Sequence, residues 1–250
     1  MGNAMLPTKI LIPVIILSVI GMCLQGIFIA VEHKEKYVAA AVLKGTAAMI
    51  FVIIGFIGYK NFLKCANAYN TDITQGLTKS VCFMICLGLF CGMLGDVLLA
   101  LRFVFKSVKN KVFLTGTVVF FIGHILYIIA LLPMSVNLWK SVLIGTAVAV
   151  IILVAVYKVI DVKLVFKFFG IFYIEAVVVM TAIAIGNRIA VDSAFRTWYA
   201  VGAVLFTVSD VVMIINSFGK NHRFFQRIMN LSLYYLGQLL IATSLFFIYN

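Results

Sequence analysis

The chain has 250 residues, 64 % hydrophobic and 11 % charged, a balance that excludes a soluble domain with an ordinary polar surface and points to a polytopic membrane protein. Its formal net charge of +12 requires no nucleic-acid partner, because Lys and Arg in membrane-protein loops set orientation and meet anionic lipid headgroups. No stretch between the apolar segments is long enough for a soluble domain, so residues 1–250 are expected to form one membrane-embedded unit whose site is made by its helices.

About 20 apolar residues cross roughly 30 Å of hydrocarbon, and eight segments reach that length. The first, 10–31, is too long for a signal-peptide core, lacks a small-x-small cleavage pattern and runs into Glu32-His33-Lys34-Glu35-Lys36, so it is expected to be a retained span. The second, 38–59, carries Lys44, and the third, 80–103, contains CGMLGDVLLALR with Asp96 in its middle. The fourth, 112–132, holds His124, and the fifth, 141–159, adds no candidate. Glu175 lies in the sixth, 168–185; Ser209 and Asp210 in the seventh, 199–215; and Tyr234, Tyr235 and Gln238 in the eighth, 228–249. The expected fold is all-α, a bundle of eight transmembrane helices. Loops after the first, third, fifth and seventh helices collect most of the Lys and Arg, which places that face in the cytoplasm and both termini opposite.

An ionised carboxylate in mid-membrane costs a few kcal/mol on insertion scales, so such residues face a bundle interior or a wet cavity. Asp96 is therefore a site candidate, and it has an echo. GLFCGMLGDVLL in the third helix and GAVLFTVSDVVM in the seventh align at an offset of 114 residues, pairing Gly88, Gly95, Asp96 and Val97 with Gly202, Ser209, Asp210 and Val211. The same offset sets Gly123 and His124 on Gly237 and Gln238. Four helices separate the copies, so a repeat would be parallel rather than inverted.

Depth is the stronger argument. Measured from the expected cytoplasmic ends at 1.5 Å per residue, Lys44, Asp96, His124, Glu175, Asp210, Tyr234, Tyr235 and Gln238 mostly fall in one layer roughly 8 to 18 Å below that surface. A shared level is what one enclosed polar chamber requires. Two carboxylates in such a chamber do not both stay ionised, which leaves one able to hold a proton near neutral pH. Cys23, Cys65, Cys82, Cys86 and Cys91 offer no second close pair and no neighbouring histidines, so packing rather than metal binding is expected of them. The motifs of soluble enzymes, a P-loop, HExxH, GxSxG and a dinucleotide fingerprint, are missing.

LGDVLLALR, FLTGTVVFFIGHILYIIAL, VGAVLFTVSDVVMI and LYYLGQLLIATS, in that order, resemble the signature helices of the YhhN-like lysoplasmalogenase family. The likeness runs from the third helix to the eighth, with a weaker echo at VLKG, where Lys44-Gly45 stands for the family's frequent Lys-Pro. It implies an integral membrane hydrolase, in the cell (inner) membrane of a bacterium, cleaving the vinyl ether bond of lysoplasmalogens to a fatty aldehyde and glycerophospho-ethanolamine or -choline. It implies no metal or organic cofactor, and as partners the lysophospholipid substrate and membrane lipids. Asp96 and Asp210 fall on the two motif aspartates, His124 and Tyr127 on an HxxY pair, Tyr235 and Gln238 on a YxxQ, and Tyr173 on a tyrosine of the sixth helix. Glu175 matches no motif position and is a candidate by depth alone.

Vinyl ethers resist bases and nucleophiles but yield to acid, and the reaction asks for one protonated carboxyl and one ionised carboxylate, as glycoside hydrolysis does. Two aspartates suffice. His124 and the tyrosines would hold the pair or bind phosphate, and Lys44 could supply the positive charge a phosphodiester attracts. Two other classes fit the same residue types: a proton-coupled small-molecule transporter, since buried Asp, Glu, Lys and His also make proton relays, and a non-catalytic lipid-binding protein. Pro13 and Pro133 lie near helix ends and give no broken span of the kind transporters often use.

Overall fold

The computed structural model describes residues 8–69, 76–160, 164–219 and 223–248. The described residues contain eight α-helices: α1 Thr8–His33, α2 Tyr37–Tyr69, α3 Lys79–Leu101, α4 Lys109–Leu131, α5 Leu138–Val159, α6 Leu164–Ala190, α7 Ala194–Phe218 and α8 Phe224–Ser244. No strand is present among them, only an isolated antiparallel bridge between Ile160 and Gly219 that ties the end of α5 to the end of α7. Several helices outrun their apolar segments. α2 continues through Lys60 and Lys64, and α6 begins at Leu164 and ends at Ala190, because backbone hydrogen bonding does not stop where the hydrocarbon does. Tyr249, the expected end of the eighth segment, lies outside the described residues.

Seven of the helices are long and apolar enough to cross a membrane, which makes the chain a multi-pass membrane protein by length and composition. α8 is the exception to the expected eight. It carries Gln226, Arg227, Asn230, Tyr234, Tyr235 and Gln238, which raise its average polarity. Most of that polarity is hidden: Asn230, Tyr234, Tyr235 and Gln238 are all buried inside the protein.

Chain neighbours pack side by side from α1 to α4 and again from α5 to α8, while α4 turns to α6 rather than to α5. α8 closes the arrangement by touching α1, α2, α3 and α7, so with the α4–α6 contact it brings the first half of the chain against the second. Phe51, Ile54, Leu89, Met180, Ile183, Phe206 and Ile241 fill the interior. Ile12, Ile15, Ile16 and Val19 of α1, with Leu143, Ile151 and Val154 of α5, point outward, the pattern of a surface whose solvent is lipid.

α3 and α4 make one of the two most extensive helix contacts, α7 and α8 the other, and glycines make both close. A Cβ on Gly123 would stand 3.3 Å from the Gly88 carbonyl oxygen, and one on Gly237 would stand 2.8 Å from the Gly202 carbonyl oxygen. Small residues let helix backbones approach in this way. The two crossings use the residue pairs that the 114-residue offset equates.

Candidate functional site: a buried carboxylate chamber

α3 ends toward the connection to α4, and α7 toward the connection to α8, so Asp96 and Asp210, each within the last third of its helix, reach the same level from different sides. Both line one cavity of about 70 Å³ together with Lys44, Tyr173 and Tyr234. Roughly 10–15 Å³ suffices for one water, so the chamber holds a few waters or a narrow stretch of a ligand.

The two carboxylates have different partners. The Lys44 ammonium lies 2.9 Å from Asp96 Oδ1, with side-chain exposures of 6 % and 3 %, and Tyr234 donates its hydroxyl to Asp96 Oδ2 at 2.8 Å. Asp210 Oδ2 accepts the Tyr173 hydroxyl at 2.6 Å. Lys44 is held from behind by the Phe28 ring, 5.6 Å from its nitrogen. It does not snorkel to the headgroups, and its charge is engaged by Asp96. In each case the preceding helix supplies a partner, α2 for Asp96 on α3 and α6 for Asp210 on α7.

The remaining candidates form a second layer. His124 on α4 is buried, and its Nδ1 donates to the Phe120 carbonyl at 2.7 Å, which fixes the tautomer with Nε2 as the acceptor. No hydrogen-bond partner for Nε2 is present among the described residues; the ring packs edge-on against Phe206, Tyr173 and Tyr127. Tyr127 donates to Gln238 Oε1 at 2.9 Å, joining α4 to α8. Tyr235 turns away from the chamber and donates to the Ala47 carbonyl at 2.9 Å, its ring beside Phe51. Ser209 accepts from Asn230 through both its hydroxyl and its carbonyl, at 3.0 and 2.9 Å. His124, Tyr127, Tyr235, Ser209 and Gln238 therefore lie outside the chamber wall.

Glu175 is a correction. It shares the level of the aspartates but faces α5, where the Thr146 hydroxyl donates to it at 2.6 Å, and it neither lines the chamber nor pairs with Lys44. Depth fixes a position along the membrane normal and leaves the direction round the helix open. Tyr173, two residues earlier and about 200° away on the helix, faces inward.

Three charged or amide residues of the chamber were not anticipated: Arg102, Arg227 and Asn230. Arg227 makes two bonds to Glu32, Nη2 to Oε1 at 2.7 Å and Nε to Oε2 at 3.0 Å, clamping α8 to the end of α1 at the chamber mouth. Arg102 follows α3 directly, its guanidinium 4.6 Å from the Phe103 centroid and 5.0 Å from that of Phe113. The signal that could have found two of the three is a polar stripe on α8, Arg227, Asn230, Tyr234 and Gln238, spaced three to four residues apart. Among the described residues no group of His, Cys, Asp or Glu is placed to hold a metal ion; Cys82 and Cys86 are buried as packing residues.

Residues 43–245 match the model of the YhhN family. None of the curated proteins and none of the solved structures compared with the chain matches it. The family match takes in Lys44, both aspartates, the tyrosines around them and the layer behind. With more than three quarters of its length covered, the chain belongs to the YhhN family.

Proposed function

We propose that this protein is an eight-span membrane hydrolase that cleaves the vinyl ether bond of lysoplasmalogens, with Asp210 as general acid and Asp96 as the ionised partner. The observation that carries the reading is the unequal pairing of two carboxyls on one cavity: Asp96 has a cation at 2.9 Å, whereas Asp210 has a phenol at 2.6 Å. Lys44 compensates a negative charge on Asp96. Among the described residues no cation pairs with Asp210, so a neutral carboxyl is the form its surroundings accommodate, and a neutral carboxyl is a proton donor.

Asp210 transfers its proton to the alkenyl carbon remote from the ether oxygen, which leaves an oxocarbenium ion and an Asp210 carboxylate. Water adds to the cationic carbon and gives up a proton to a carboxylate of the pair, Asp96 stabilising the positive charge meanwhile. The resulting hemiacetal collapses; its hydroxyl proton leaves as the glyceryl oxygen gains one. The products are a fatty aldehyde and a glycerophosphodiester, and one water is consumed. Tyr173 and Tyr234 hold the carboxyls in place, while Phe113, Phe120, Phe166 and Phe169 on the wall keep the reacting carbons from bulk water.

Purified protein incubated with a 1-alkenyl lysophospholipid is expected to release aldehyde, and Asp96→Asn and Asp210→Asn to abolish the release. In D₂O the aldehyde should carry one deuterium on the carbon next to its carbonyl, and in ¹⁸O water its carbonyl should carry the label. Intact substrate after incubation with folded wild-type protein would overturn the reading.

A further inference from the structure

The Arg102 guanidinium stands where the carboxylate chamber widens. It lines the chamber and also an adjoining cavity of about 500 Å³, and Phe113, Phe166, Phe218 and Arg227 line both, so the two spaces are one passage with a narrow inner end and a broad outer one. Lys109 borders the outer end, and among the described residues no Asp or Glu does. Arg227 is neutralised by its two bonds to Glu32. Arg102 has no carboxylate within ion-pair distance among the described residues; its partners are the faces of Phe103 and Phe113. Ring faces restrain a guanidinium without using its N–H groups, so its in-plane donors are held in one orientation and left for a ligand. Two cations with no ion-paired carboxylate among the described residues thus border a cavity that opens inward onto two carboxyls.

We infer that Arg102, with Lys109 and the Glu32-braced Arg227 beside it, forms an anion site at the chamber mouth that takes the phosphate of a single-chain phospholipid, and that Lys44 has no role in headgroup recognition. The identity of the ligand, though not the existence of the site, rests on the hydrolase reading. Planar guanidinium donors match phosphate oxygens in pairs, which a lysine ammonium does not do. Arg102 follows Asp96 by six residues, about 9 Å of helical rise, which sets the anion on the water side of the carboxyls. A glycerol backbone bridges that interval, with its phosphate outward at Arg102 and its ether carbon inward at the aspartates. The site therefore also sets polarity: a lipid enters with its linkage ahead of its headgroup.

The test uses the full chain in neutral detergent and ligands that cannot be cleaved. A 1-acyl lysophosphatidylethanolamine carries the phosphate; a 1-monoacylglycerol of the same chain does not. Calorimetric titration should give the lysophospholipid an affinity about tenfold higher, and Arg102→Gln should erase that difference, while Arg102→Lys keeps some of it. Asp96→Asn and Asp210→Asn should retain it. Competition by inorganic phosphate, lost in Arg102→Gln, marks a site open to any phosphate; lack of competition assigns it to the lipid headgroup, and either result supports the anion site. Equal affinity of wild-type protein for the two lipids would overturn the inference, whether or not the variants fold. So would a folded Arg102→Gln that still prefers the lysophospholipid. If no aldehyde is ever released but the Arg102 effect is present, the hydrolase reading falls and the anion site stands.

Discussion

Lys44 and Asp96 give the most quantitative expectation. The pair joins α2 to α3 at 2.9 Å with both side chains almost wholly buried. Lys44→Met would strand a carboxylate that keeps one neutral donor, Tyr234, at 2.8 Å. Removing one partner of a buried ion pair costs about 3–5 kcal/mol, because the charge left behind has lost both water and its counter-ion. A hydrogen bond to a charged group is worth about 1.5–3 kcal/mol, and Tyr234 already makes its bond in the wild type, so it adds nothing to offset the loss. Asp96→Asn strands the ammonium in turn, with only the π face of Phe28 at 5.6 Å as a polarisable neighbour. The double variant carries neither charge and should be more stable than either single variant, so the coupling energy in the four-protein cycle, the two single costs less that of the double, should be at least about 3 kcal/mol. Unfolding of the purified proteins in mixed micelles, titrated with a denaturing detergent and followed by circular dichroism, measures each corner. Aldehyde release should not return in the double variant, which separates the support of the fold from the chemistry. A coupling below about 0.5 kcal/mol would show that the two charges act independently and would refute the reasoning.

Two further perturbations probe how the chamber is held. Tyr173→Phe removes the hydroxyl that Asp210 accepts at 2.6 Å and should lower kcat by about ten- to a hundredfold with little change in KM, whereas Glu175→Gln, which can still accept from Thr146, should leave kcat within about twofold; aldehyde release kinetics compare the two. Gly237→Ala forces a Cβ to 2.8 Å from the Gly202 carbonyl oxygen, a backbone atom that cannot rotate away, and should cost about 1–3 kcal/mol in the same unfolding titration.

The level of the site was legible in the sequence, and its circumference was not. Counting residues from helix ends set Asp96, Asp210, Tyr234 and Lys44 at one depth, and these residues do line one cavity. The same count set Glu175 beside them, yet its side chain meets Thr146 on α5 instead. The difference is rotational: in an apolar membrane helix both the lipid side and the protein side are hydrophobic, so no amphipathic stripe marks the inward face. α8 shows the converse. Its stripe of Arg227, Asn230, Tyr234 and Gln238 does mark an inward face, and that same polarity takes it below the hydropathy of the other seven helices. Arg102 escaped notice because a cation next to a helix end reads as a topological signal, whereas the fold turns it over two aromatic rings and into the passage.

The form of the passage also bears on the choice between turnover and carriage. A carrier must expose one site to each side of the membrane in turn. Beyond the aspartates, away from the mouth, the way is filled by Leu89, Met180, Ala203, Phe206 and Ile241, all buried. The α7–α8 crossing at Gly202 and Gly237 lies in the same direction, eight residues of α7 beyond Asp210, about 12 Å along the helix. Opening a path there would pull apart a pair of backbones in van der Waals contact and expose main-chain groups to a medium that cannot bond them. A hydrolase needs no second door. In the proposed reaction the lysolipid would enter from the mouth, and the products would differ in kind from the substrate, a charged phosphodiester that leaves for water and an aldehyde that leaves for lipid. Cleavage itself removes the link that held headgroup and chain in one molecule, so a single opening serves both entry and release.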